Sequence, residues 1–112
     1  MPEMHPLYLR SQEHIAFAEL AVREHRPEDA RCYYLYAAQA QEALVRTCRA
    51  DQPLSRGIWA LSAATLYSRA EAWAEAERVC ARAVKFRGLD VREQCGLGLL
   101  LRECLLRRGV DV

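Results

Sequence analysis

The stretch Gly57–Phe86, GIWALSAATLYSRAEAWAEAERVCARAVKF, most constrains what this chain can fold into. It holds two runs of helical spacing joined at Ala70–Glu71, with alanines where two helices must touch. Small side chains let helix axes approach closely, so a chain that repeats this device becomes a stack of helix hairpins. A strand reading has no support. There is no alternating apolar run bounded by turns and no Asn-Gly or Asp-Gly dipeptide.

At 112 residues the chain is long enough for one domain with its own core, and 52% apolar with 28% charged residues is a globular composition. A formal net charge of +1 weighs against a general polyanion binder, although local basic patches stay open. Lys85 is the sole lysine beside many arginines. That excess reads either as carboxylate or phosphate recognition or, more economically, as the mark of a GC-rich gene.

Cys32, Cys48, Cys80, Cys95 and Cys104 are odd in number and widely spaced, with no Cys-x-x-Cys pair. They are expected to be free thiols acting as small hydrophobes in a reducing compartment, with no metal site and no cofactor. The beginning, MPEMHPLYLRSQEH, turns polar at once, so no signal peptide is expected. No apolar run approaches the ~20 residues needed to span a bilayer. Cytoplasm is the expected compartment.

Along the chain, residues 1–6 form a lead-in. Helix one runs from about Leu7 to His25, with Leu7, Ile15, Phe17, Ala18, Ala21 and Val22 at helical spacing. Arg26–Asp29 breaks it; Pro27 suits a first helical turn, and Glu28 and Asp29 suit its positive end. Helix two extends to about Cys48 with the stripe Ala30, Tyr34, Ala37, Gln41, Leu44 and Cys48. Gln41 interrupts this stripe, either in a buried hydrogen-bonding network or, the preferred reading, at its wet edge. Asp51 or Ser55 is expected to cap helix three, Leu54–Arg69, and helix four covers Ala72–Phe86. Gly88 suits a left-handed C-cap, Asp90 caps a fifth helix to about Arg108, and Gly109 stops it. Gly96 and Gly98 lie inside that helix, where close packing on helix four would offset their cost.

The pattern recurs. Ala18, Ala21, Ala30, Tyr34 and Ala37 reappear as Ala64, Tyr67, Ala76, Cys80 and Ala83, each 46 residues on. A further step of 34 lands on Leu97-Gly98, in the register of Ala63-Ala64, with Leu101 one turn later where Tyr67 stands. In these positions, and in the turn-like Glu71–Ala76 with Trp73 as its aromatic, the chain resembles the tetratricopeptide repeat (TPR) family, whose period is about 34 residues. It departs from that pattern in three ways: no glycine precedes the turn, the second helix of the first pair is longer by about three turns, and the last pair has only its first helix. The resemblance implies an all-α, antiparallel five-helix TPR-like stack in a single domain, 1–112. A long first pair (7–50) is followed by a second pair (54–87) and a closing helix (90–108). The chain also resembles a group of small bacterial helical proteins in which a segment like Leu61–Val84 precedes one closing helix.

In the TPR family the first helix of each pair lines a groove for an extended peptide. The resemblance therefore implies a non-catalytic protein–protein interaction module with a groove at Glu19 and Arg23, at Leu61, Thr65 and Arg69, and at Leu99 and Arg102. Ile15, Val22, Ser68 and Cys95 flank these. The family's clamp for a C-terminal carboxylate needs Lys and Asn where Ile15, Leu61, Glu19 and Thr65 stand, so chaperone-tail binding is disfavoured. Helix five carries leucines around much of its circumference, and a helix apolar on more than one face is buried or paired. Leu100, Leu101 and Leu105 are the expected face of a homodimer.

The alternative is a HEPN-like helical bundle in a toxin–antitoxin or nucleic-acid setting. Ala37–Leu44 resembles that family's second helix, and Arg10 with His14 is the comparable basic pair, here on the first helix. No enzyme is expected. The histidines His5, His14 and His25 form no metal motif, Ser55, Ser62 and Ser68 lack a nucleophile elbow, and no glycine-rich phosphate loop follows a strand. Arg102, Arg107 and Arg108 with Arg46, Arg49 and Arg56 could form a basic patch. No aromatics interleave it and Asp51 and Glu103 dilute it, so nucleic acid is disfavoured.

Overall fold

The structure, a computed structural model, describes residues 5–48 and 53–109, the side chains of residues 53–55 excepted. Among them every regular element is an α-helix: α1 (Pro6–Arg23), α2 (Pro27–Thr47), α3 (Pro53–Arg69), α4 (Trp73–Ala83) and α5 (Val91–Arg107). The helix starts have local causes. Pro6 and Pro27 stand at first helical positions, where a missing N–H costs nothing. His5 Nδ1 accepts from the Leu7 N–H at 3.0 Å. Asp90 and Glu93 form a reciprocal capping box on α5. Gly88 and Gly109 take φ of 80° and 78°, the left-handed region that glycine enters without strain.

The helices pack in chain order, each on the next, and α3 also touches α5. The result is a slab of 47 × 40 × 19 Å, with a radius of gyration of 14.2 Å against about 13 Å for a compact domain of this length.

The repeat seen in the sequence reappears in the backbone. In the α1–α2 turn, the Arg26 N–H reaches back to Ala21 O and the Glu24 N–H to Leu20 O. In the α3–α4 turn, Ala72 bonds Tyr67 O and Ala70 bonds Leu66 O, the same pairs 46 residues on. His25 and Glu71, also 46 apart, are the only non-glycine residues with positive φ among the described residues, each at 59°. Both hairpins are therefore closed by one turn type, without the glycine that such a turn favours. The outer helices differ: α2 has 21 residues and α4 has 11, close to the three extra turns expected.

The core is built of small groups. Of the 19 buried apolar residues described, 11 are alanine, and Ala18, Ala21, Ala37, Ala63, Ala64, Ala76 and Ala83 show no exposed surface. Among the positions repeated at 46 residues, Tyr34 alone is only half-buried.

Several expectations fail for identifiable reasons. On α1 the inward side is Ser11, Ala18 and Ala21, while Phe17 and Val22 face solvent, so the stripe is rotated from the apolar count. The turn beginning at Val84 ends α4 before Phe86. Ser55 lies inside α3 rather than before it, and Asp51 is outside the described residues, as is Arg49. The 34-residue step carries into α5 only in part: Leu97 is fully buried like Ala63, but Gly98 has open space around it, Leu101 is half-buried, and the other fully buried position is Cys104. Gly96 does make a close approach, but to α3: a Cβ there would lie 3.0 Å from Leu61 Cδ2.

Candidate functional site

The joint between the two hairpins concentrates charge. Glu42 on α2 sits beside α3 and α4, and its Oε1 accepts from the Tyr67 hydroxyl at 2.5 Å and from Arg78 Nη2 at 3.0 Å. Its Oε2 accepts from Arg78 Nη1 at 2.6 Å and from Arg46 Nη2 at 3.4 Å. The Arg78 hydrogen bond holds the Glu42 carboxyl below the usual carboxylate range, against the desolvation that would raise it, and Tyr67 adds to the lowering. The same carboxylate raises Arg78, while burial followed by the Glu42 hydrogen bond raises the Tyr67 phenol.

Next to this network lies a cavity of about 240 Å³ between α2, α3 and α4. Its apolar wall is Val45, Ala60, Val79 and Phe86, and its charged rim is Arg46, Arg56, Arg78 and Arg82 with Glu42 as the one acid. The Arg56 guanidinium lies 3.9 Å from the Phe86 ring centre. Stacking occupies the face of the guanidinium and leaves its in-plane N–H donors pointing away from the ring. Cys48 also borders the cavity, and burial pushes its thiol up.

The expected groove residues fall into two hollows. Leu61, Thr65 and Leu99 meet between α3 and α5, beside Gly96 and Leu100. Glu19 and Arg23 meet at α1 with Val22 and Tyr34, and Arg69 reaches over the Tyr34 ring at 5.8 Å. Arg102 is exposed and borders neither hollow.

The self-association residues need correction. Leu100 and Leu101 pack against the protein's own core and Leu105 is half-buried. The solvent side of α5 is instead Val91, Cys95, Leu99, Arg102 and Leu106, with Val91 73% and Leu99 68% exposed. Leucine count alone does not say which arc of a helix its neighbours cover.

Gln41 is also corrected. It is 2% exposed, and its Nε2 donates to Ser11 Oγ at 3.2 Å, while Ser11 donates to Tyr8 O at 2.7 Å. Gln41 Oε1 has no hydrogen-bond partner. The buried-network reading holds, with one acceptor left over. His14 is half-buried between Tyr33 and Tyr36 at 6.3 and 5.5 Å, and its Nδ1 is buried without a partner. Arg10 and His14 line one hollow with Tyr36 and Gln39.

The expected basic patch divides. Arg46 and Arg56 join the cavity, whereas Arg107 lies over Trp73 and pairs with Glu103, and Arg108 pairs with Glu77. Glu42, Arg78 and Arg82 escaped the sequence reading. The i,i+4 pairs Glu42–Arg46 and Arg78–Arg82 were the available signal, since each places two charges on one helix face. Their convergence depends on how α2 meets α4.

Among the described residues there is no cluster of His, Cys, Asp or Glu able to hold a metal, and no helix is long and apolar enough to cross a membrane. Comparison with protein-family models, with curated proteins and with solved structures found no match.

Proposed function

We propose that this protein is a non-catalytic, TPR-like interaction module that holds a partner segment along its first-of-pair helices, α1, α3 and α5. The observation that carries this reading is the turn repeated at 46 residues, which makes α1 and α3 equivalent members of two hairpins. The hollow of Leu61, Thr65 and Leu99 lies between the next two helices of that series. A cytoplasmic setting belongs to the same proposal and rests on five cysteines that are all free. The unpaired α5 adds a homodimer through its Val91–Leu99–Leu106 side, in place of Leu100, Leu101 and Leu105.

The test is a photoreactive amino acid placed at Thr65 and, as control, at solvent-facing Ala81 of α4. A discrete protein adduct formed from position 65 and absent from position 81 is the expected result. Equal adducts from both positions, or none from 65, would overturn the groove.

A HEPN-like bundle acting on RNA is the second reading, favoured by the shared hollow of Arg10 and His14. Cleavage of labelled single-stranded RNA that is lost in His14→Ala would replace the first reading with this one.

A further inference from the structure

The cavity between α2, α3 and α4 combines features that the groove reading does not use. Four guanidinium groups stand on its rim, and the one carboxylate there, Glu42, is already engaged by Tyr67, Arg78 and Arg46. Among the described residues the rim therefore keeps an excess of positive charge, which suits an acidic occupant. Arg82 has no ion pair among the described residues, and Arg56 is held in place by the Phe86 ring. An immobilised guanidinium loses little freedom when it binds an anion, and its planar fork suits a carboxylate.

The wall sets the second requirement. Val45, Ala60 and Val79 offer no polar side chain, so the part of the occupant that enters must be apolar. At about 240 Å³ the space falls below the usual ~300–1,000 Å³ of sites for drug-sized molecules. It has room for one anchoring side chain and not for an extended ligand.

We infer that this cavity is a docking site for an acidic segment of a partner protein, which inserts one apolar side chain between Val45 and Val79 and sets flanking carboxylates on Arg56 and Arg82. Helix α3 separates the site from the groove: Arg56 and Ala60 face the cavity, whereas Leu61 and Thr65 face α5. Failure at one site therefore leaves the other standing.

The experiment measures fluorescence anisotropy with three labelled probes: an acidic peptide with a central leucine between Glu-Asp pairs, the same peptide with serine for leucine, and a ten-nucleotide polyuridylate. The expected result is saturable binding of the leucine peptide that weakens at least ten-fold with serine and at least ten-fold in Arg82→Glu. Arg92→Glu, an equal charge change at an exposed position of α5, should bind as the wild type does, and circular dichroism shows that each variant is folded. Absence of binding, equal binding of the serine peptide, or tighter binding of polyuridylate than of the leucine peptide would each overturn the inference. The last outcome would assign the rim to nucleic acid.

Discussion

Glu71 stands in the second hairpin where His25 stands in the first, and both backbones are held at a φ of 59°. A side chain in that region carries a steric cost of roughly 1–2 kcal/mol that glycine escapes, less glycine's larger entropy loss on folding. His25→Gly and Glu71→Gly should each raise stability by about 0.5–1 kcal/mol, and the gains should add because the turns belong to different hairpins. Urea midpoints of the two single variants and the double variant check this. A loss in either single variant would mean that its side chain holds the turn.

The Glu42 network gives a pH dependence of known sign. Its carboxyl is depressed in the folded protein below the ordinary 4.5, so its stabilisation is complete above that value and is lost as pH falls through the lower folded value. Glu42→Gln should cost about 2 kcal/mol at neutral pH, the range for hydrogen bonds to charged groups. The variant should then lose less stability than the wild type between about pH 5 and about pH 3. Parallel denaturant curves for both proteins at the two pH values read this difference directly.

Three glycines should answer differently to the same substitution. A Cβ on Gly57 would lie 2.5 Å from Leu89 Cδ2 and 2.6 Å from Glu93 Oε2, both on buried residues. Gly57→Ala should therefore destabilise by about 1–3 kcal/mol. Gly98 has no such neighbour, so Gly98→Ala should stabilise α5 by up to about 1 kcal/mol. Gly96→Ala should fall between them, since only the tip of Leu61 must move. Thermal melts of the three variants give the order.

Ser11 and Gln41 form a coupled pair. Ser11→Ala removes the acceptor of Gln41 Nε2 and should cost about 1–3 kcal/mol, because a buried donor then joins an acceptor already without a partner. Adding Gln41→Leu removes both orphaned groups and should restore most of the loss. A double-mutant cycle with no coupling between the two changes would contradict the observed bond.

Self-association is read by light scattering. Leu99→Glu with Leu106→Glu alters the exposed side of α5 and spares the core. The wild type is expected to be a dimer and the variant a folded monomer. A monomeric wild type would remove the dimer and leave the stripe to another protein.

What was legible in the sequence was what short spacing encodes. Ala18, Ala30 and Ala37 against Ala64, Ala76 and Ala83 announced the helix pairs, and Gly88 with Asp90 announced the start of α5. Such signals work within a few turns of chain. Glu42 and Arg78 are 36 residues apart and meet only because the second hairpin settles on α2 at one angle. The burial of Gln41 likewise depends on which side α1 presents, and there the inward position at Ser11 was polar and gave no apolar signal.

The alanine interior sets which sequence changes the protein tolerates. At these alanine positions there is little to remove, because the side chain is a single methyl group. Adding atoms is another matter: Ala64 and Ala76 have no exposed surface, so an extra methylene there must displace packed neighbours. Substitutions on the surface should therefore be accepted freely, while these inner positions should accept only the smallest side chains.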